Sequence, residues 1–236
     1  MLVHTLPTAL IEATVLRRPS ARIRSPYIAD IQLPDGTIGL CHTPGLGCSG
    51  LVAPGTHIFV SENEDHEIKT DWIAQVAKTP SAIIGIHPPS IKNAAYALLH
   101  TLHPDAHWQS DVPVKGHRID YVGYLPDGQH IYVEIKPVFT TPVGKVVVPT
   151  CKTAKEHTET NILKTLVGHP NTHSCHFLFL IPHSACESVQ IDSKDDTYSS
   201  KMRQAIDKGI RLHAFVLDYD LEGDITFQKE VSVTLS

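Results

Sequence analysis

Two copies of the tripeptide Pro-Asp-Gly, at 34–36 and 126–128, constrain the fold of this sequence more than any other feature. Each copy stands between two segments rich in β-branched, aliphatic and aromatic residues. Proline presets φ at the first turn position, aspartate tolerates the second, and glycine supplies the left-handed third. Each tripeptide therefore predicts a three-residue hairpin loop, which fixes the register of its flanking strands. Because the flanks differ, the repeated turn does not indicate a repeated domain.

The register of the second hairpin brings charged residues together. With 126–128 as the loop, counting back along both strands places Asp120 opposite Glu134. Directly opposed residues project to the same side of an antiparallel pair. Lys136 lies two residues beyond Glu134 and therefore shares that side. The sequence thus predicts two carboxylates and one amine on a single face of the hairpin.

Two opposed carboxylates are unfavourable unless a cation offsets them. Mg²⁺ would do so, since it prefers oxygen ligands and is commonly held by one or two carboxylates. A nearby lysine could orient a water molecule or neutralise a phosphate, as phosphodiester hydrolysis requires. On spacing alone, an ordinary solvated polar face remains open, with the core against Val133 and Ile135 on the other side.

The rest of the chain divides into an all-β part, residues 1–80, and a mixed part, residues 81–236. Short strand candidates separated by turns in the first part predict a small barrel or sandwich. Strand and helix candidates alternate in the second part, which predicts an α/β fold with a partly parallel sheet. The helix candidates span 89–102, 153–167 and 196–208, and the later strand candidates span 175–181, 211–217 and 224–235.

Composition narrows the function classes. The net charge of −5 argues against a histone-like binder, although it allows an enzyme with one local basic groove. Five scattered cysteines indicate reduced thiols, and no apolar run approaches membrane length, so we expect a cytoplasmic protein without membrane contact. A histidine-rich stretch could suggest zinc, but its spacing matches no standard pattern and favours loop and core residues: His169, His173, Cys175 and His176.

A dense basic cluster precedes the first hairpin and consists of Arg17, Arg18, Arg22 and Arg24. Small barrels bind single-stranded nucleic acid through a basic groove with stacking aromatic side chains, here Tyr27 and Phe59. The alternative is a solvated segment whose arginines guard an edge strand. Lys155 and His157 lie near the start of a predicted helix, where backbone N–H groups also favour phosphate.

The segments Arg118-Ile119-Asp120 and Val133-Glu134-Ile135-Lys136, joined by the turn, resemble the PD-(D/E)XK nuclease motif. In particular they resemble the sugar fermentation stimulation protein family, SfsA, whose motif reads SR-(I/F)-D-F, a turn, then YVEVK. The resemblance extends over nearly the whole chain, in the segments 22–36, 50–55, 196–215 and 231–235.

The resemblance implies an N-terminal OB-fold that binds nucleic acid, followed by a PD-(D/E)XK nuclease-like domain. It makes Asp120 and Glu134 ligands of Mg²⁺, with Mn²⁺ as an alternative, and Lys136 the catalytic lysine. The carbonyl of Ile135 would be a further metal ligand, and Asp111 matches an acidic position ahead of the hairpin.

The sequence departs from the family pattern around this site. The family's P-N-T-G and F-P-D-A segments are altered at 43–47 and 148–151, and Pro137 directly follows the lysine. We therefore expect an intact metal site, Arg118 beside it as a nucleic-acid contact, and a changed substrate periphery. The function predicted is a Mg²⁺-dependent nuclease acting on DNA or RNA. The alternatives are a non-catalytic DNA-binding regulator of sugar metabolism and an interaction module unrelated to nucleic acid.

Overall fold

The computed structural model describes residues 1–6, 9–43, 45, 48, 50–64, 69–140, 144–149, 154–194 and 196–235, with backbone alone over 154–159 and at 196. The elements in chain order are β1 (Leu2–Thr5), β2 (Ile11–Arg17), β3 (Ile28–Gln32), β4 (Ile38–His42), β5 (His57–Glu62), β6 (Trp72–Lys78), β7 (Ile83–Gly85), α1 (Pro88–Leu102), β8 (His107–Val114), β9 (His117–Tyr124), β10 (His130–Pro137), β11 (Gly144–Val148), α2 (Ala154–Leu166), β12 (Thr172–Ile181), β13 (Cys186–Ile191), α3 (Asp196–Asp207), β14 (Arg211–Tyr219) and β15 (Asp224–Leu235).

Strands β2 to β6 form a closed five-stranded barrel. Their order is β4-β3-β2-β5-β6, and a short parallel pairing of β4 with β6 closes the ring. Aliphatic side chains fill the interior, with Val15, Ile31, Ile58 and Val60 fully buried. The first hairpin has the predicted register, since Gln32 pairs with Ile38 across the 34–36 loop. The predicted OB-type barrel is therefore confirmed.

Strands β8 to β15 form one mixed sheet in the order β11-β13-β15-β14-β12-β10-β9-β8, with β1 beside β15. Its centre is parallel, because β10, β12 and β14 pair in parallel. Strand β9 pairs antiparallel with β8 and β10, whereas β15 pairs antiparallel with β14 and parallel with β13. The predicted α/β class with a partly parallel sheet is confirmed.

Both faces of this sheet are covered. Helix α1 packs with β1 on one face, where Leu98, Val133 and Leu178 belong to one apolar cluster. Helices α2 and α3 pack on the other face, where Leu163 and Met202 belong to a second cluster. The expectation that the core lies only on the Val133 side of the hairpin is therefore wrong, and the side that carries Glu134 is also interior.

Helix α1 begins one residue earlier than predicted and has proline at its first positions, where a missing N–H costs nothing. Strand β1 pairs with β15 in the larger sheet, whereas β7, beyond residue 80, pairs with β6 of the barrel. The division into domains at residue 80 stays a prediction. Within the described residues, no helix is long and apolar enough to cross a membrane.

Candidate active site

The second hairpin has the predicted register up to the charged residues. Val133 pairs with Tyr121, so the next pair along the strands is Glu134 with Asp120. The ladder between β9 and β10 ends there, although β10 continues along β12 as far as Pro137. The two strands therefore part at this point and leave a fork between them.

The Asp120 side chain fills the fork. Its Oδ2 accepts a hydrogen bond of 2.9 Å from the backbone N–H of Ile135, where a strand carbonyl would otherwise bind. Because the N–H and the carbonyl of a strand residue leave the same edge, the Ile135 carbonyl also points toward this fork. Asp120 is 8% exposed, so its carboxylate lies at the border of the interior.

Glu134 lies deeper than Asp120. It is 2% exposed, between apolar neighbours on the β10 strand, and Lys136 two residues further on is half-buried. An ionised carboxylate at such a depth must be paired, hydrogen-bonded or metal-bound. The interpretation of these residues as an exposed polar face is therefore wrong. Burial of this kind is typical of a carboxylate retained for chemistry rather than for solubility.

Lys92, which sequence reasoning missed, reaches the fork from helix α1. Its Nζ lies 2.8 Å from Asp120 Oδ1 and 3.3 Å from Asp111 Oδ1, so one ammonium bridges two carboxylates. Burial opposes the charge of Lys92, but hydrogen bonds and attraction from Asp120 and Asp111 outweigh it and raise its pKa. Nothing local in the sequence signals this contact, because the three residues lie on three different elements.

The backbone of Lys92 is also fixed. The Tyr121 hydroxyl donates a hydrogen bond of 2.7 Å to the Lys92 carbonyl, which ties α1 to β9. Tyr121 is buried, and burial raises the pKa of its hydroxyl, so it remains a donor at neutral pH. Tyr121 and Asp120 are consecutive residues, and they hold the carbonyl and the ammonium of the same lysine.

Asp111 stands at an irregular point of β8. Its φ of +53° is left-handed, which costs an L-residue other than glycine roughly 1–2 kcal/mol. The residues on either side pair regularly with β9, since Ser110 faces Tyr121 and Val112 faces Ile119. Asp111 is therefore the residue opposite Asp120 on the neighbouring strand.

Within the described part of the chain, no group of three or more His, Cys, Asp and Glu side chains is arranged to hold a metal ion. At Asp111 and Asp120, the cation in contact with the carboxylates is the Lys92 ammonium. The histidine-rich stretch does not converge either. His176 binds Ser174 and His213, whereas Cys175 belongs to the core on the opposite face of the sheet.

The arginines of the basic cluster make different contacts in the structure. Arg18 donates hydrogen bonds to the carbonyls of Pro26 and Gly45, so it holds the barrel loops together. Arg22 lies against Asp30 and the Ile38 carbonyl.

Arg17 and Arg24 are exposed, and Arg118 is exposed with one hydrogen bond to the Asp111 carbonyl. Phe59 is buried between the barrel and the larger sheet, so its predicted stacking role is wrong, whereas Tyr27 is exposed. The Lys155 and His157 side chains lie outside the described residues, although both positions fall in the first turns of α2.

The barrel and the forked sheet define a class of fold: a closed OB-type barrel followed by a mixed α/β sheet of the PD-(D/E)XK type. Comparison with known proteins agrees with this architecture. The solved structure of Pyrococcus furiosus SfsA in complex with Ca²⁺ superposes with a TM-score of 0.85, covering 99% of each chain at 18% identity.

Sequence comparison identifies the family. The family model described as the sugar fermentation stimulation protein RE domain matches residues 89–223, more than half of the chain. A sugar fermentation stimulation protein homolog from Alteromonas mediterranea is 29% identical over 87% of this chain and 90% of its own length. A homolog from Rhodospirillum centenum is 28% identical over 92% and 94%. The chain belongs to the SfsA family.

Proposed function

We propose that this protein is a divalent-metal-dependent nuclease whose barrel binds nucleic acid. One observation carries the proposal: the Asp120 carboxylate fills a fork between two strands, with the buried Glu134 next in register. A fork lined by carboxylates and a strand carbonyl matches the oxygen ligands that Mg²⁺ and Mn²⁺ prefer.

In this proposal, the Asp120 and Glu134 carboxylates and the Ile135 carbonyl hold the ion. A bound divalent ion would supply positive charge to the scissile phosphate and lower the pKa of a coordinated water. Hydrolysis joins the oxygen of water to phosphorus and breaks one phosphorus–oxygen ester bond. Lys136 shares a strand side with Glu134, so its ammonium orients the attacking water and offsets the charge that develops on the phosphate.

Substrate contacts are assigned to the exposed basic residues. Arg17, Arg24 and Arg118 are proposed to bind phosphates, with Tyr27 stacking on a base and Lys155 and His157 placed at the start of α2. The polymer is proposed to be DNA, with RNA as the second substrate to test. The Ca²⁺ complex of the Pyrococcus furiosus protein supports a divalent ion in a protein of this fold.

A cleavage screen tests the proposal. Labelled single- and double-stranded DNA and RNA are incubated with Mg²⁺ or Mn²⁺ and with wild type, Asp120→Asn or Glu134→Gln. We expect cleavage by wild type and loss of roughly a hundredfold or more in both variants. Asp127→Asn is the matched control, because this residue lies in the loop of the same hairpin and asparagine keeps its hydrogen-bond acceptor.

A second candidate function is non-catalytic DNA binding with a regulatory role. The same Lys92 contacts favour it, because they neutralise the carboxylates without a metal. Titration of labelled DNA with and without Mg²⁺ separates the two functions. Binding without products under every divalent metal tested supports the regulator, and metal-dependent products support the nuclease. Absence of binding at low salt contradicts both.

A further inference from the structure

We infer that Lys92 is a resident cation of the site: its ammonium holds a position between Asp111 and Asp120 that a divalent ion would otherwise take. This inference rests on the proposed metal site at Asp120 and Glu134, and it specifies how much metal that site accepts. The chain would bind one divalent ion fewer than its carboxylates could hold, and Lys92 would supply the missing positive charge.

The distances favour this role. The Lys92 Nζ lies 2.8 Å from one carboxylate oxygen and 3.3 Å from the other, so the two oxygens already face a common cation. Divalent ions bind such oxygens at about 2.0–2.6 Å. An ion bridging the same two oxygens would therefore enter the space of the ammonium, and the two positive charges would repel each other. Only one of them can occupy the position.

The ammonium is held from both ends of its residue, which distinguishes it from an incidental surface ion pair. The Tyr121 hydroxyl fixes the Lys92 carbonyl, while Asp120 and Asp111 fix its Nζ. The Lys92 side chain is 36% exposed and the Asp120 side chain is 11% exposed, so the contact is only partly open to solvent. In an exposed ion pair between two mobile side chains, the backbone and the charged end are rarely both fixed by further contacts.

The chemistry of the ammonium differs from that of the ion it replaces. Lysine offers three N–H donors on one compact charge. Two donors are directed to the carboxylates, and the third can reach a phosphate oxygen. Lys92 would therefore be a positioning residue that holds the Asp120 carboxylate in place before any metal or substrate arrives.

Counting bound ions tests the inference without relying on activity. Mn²⁺ is titrated into the whole protein, with stoichiometry measured by calorimetry and by the electron paramagnetic resonance of unbound Mn²⁺. We expect Lys92→Met to bind one more Mn²⁺ per chain than wild type. Lys92→Arg keeps the charge and should keep the wild-type count. The double variant Lys92→Met with Asp111→Asn should return to the wild-type count, because it removes a ligand of the added ion.

Lys115→Met is the matched control, since this lysine lies at the turn between β8 and β9 and contacts the Thr165 carbonyl instead of a carboxylate. Thermal melts verify that each variant folds, and Lys92→Gln replaces Lys92→Met if the latter does not. Equal Mn²⁺ counts and affinities in wild type and the neutral Lys92 variants would overturn the inference.

The wild-type results test the proposed function separately. If wild type binds Mn²⁺ and cleaves nucleic acid while Lys92→Met binds no additional ion, the inference fails and the nuclease stands. If wild type binds Mn²⁺ but cleaves no substrate while Lys92→Met gains one ion, the nuclease fails and the inference stands.

Discussion

Acidification should destabilise this protein through His176, which is 8% exposed at the centre of a hydrogen-bonded chain. Its Nε2 lies 2.8 Å from Ser174 Oγ, and its Nδ1 lies 3.1 Å from His213 Nε2. His213 Nδ1 lies 2.7 Å from a Glu230 oxygen. Since an ionised carboxylate only accepts, His213 Nδ1 carries a hydrogen and donates it to Glu230.

Burial, followed by the positive charge of His213 and Arg211, lowers the His176 pKa from 6.5 to about 3. The folded state therefore binds fewer protons than the unfolded state between these values, and stability falls as pH drops below 6.5. Linkage predicts a loss of about 2 kcal/mol between pH 7 and pH 5.

Urea unfolding at pH 7 and pH 5 measures the effect, and His176→Gln removes the titrating group. We expect the variant to be less stable than wild type at pH 7 but to lose about 2 kcal/mol less on acidification. Ser174→Ala is the control, because it removes one hydrogen bond and keeps the imidazole, so its loss between the two pH values should match wild type. An equal loss in His176→Gln and wild type would refute the reasoning.

Two further predictions concern glycines that the fold requires for different reasons. Gly85→Ala should lower the free energy of unfolding by roughly 1–3 kcal/mol, because the added Cβ would overlap the buried Tyr219 ring. Thermal melting measures this effect. An unchanged melting midpoint would mean that the ring can move aside. Gly128→Ala should cost about 1 kcal/mol through its φ of +82° alone, since its surroundings are open, and Gly128→Asn should cost less because asparagine tolerates left-handed backbone. Equal losses for alanine and asparagine in urea unfolding would contradict this explanation.

The hairpin register could be predicted from the sequence because turn chemistry is local. Three residues set the loop between β9 and β10, and the alternation of the strands carried that register to Asp120 and Glu134. The fork could not be predicted this way. It forms because β9 follows β8 and β10 follows β12 beyond the last shared pair, which depends on strands distant in the sequence.

The sequence contains a signal for the burial of Glu134 that is separate from the hairpin register. The run from Ile131 to Ile135 is nearly continuous in apolar character, as is typical of a strand covered on both faces. Combined with the predicted helix after β11, this run favours a covered second face. By contrast, the Lys92 contact depends on how α1 packs across the sheet, which no local pattern encodes.

The central claim is most directly tested by the initial rate of Mg²⁺-dependent cleavage in wild type and Glu134→Gln, prepared identically. A contaminating nuclease would not respond to a substitution in this chain, whereas removal of one charge from the buried Glu134 acts only on the site itself. The account predicts Mg²⁺-dependent cleavage by wild type and a rate lower by roughly a hundredfold or more in the folded variant. Equal rates in the two preparations would contradict it.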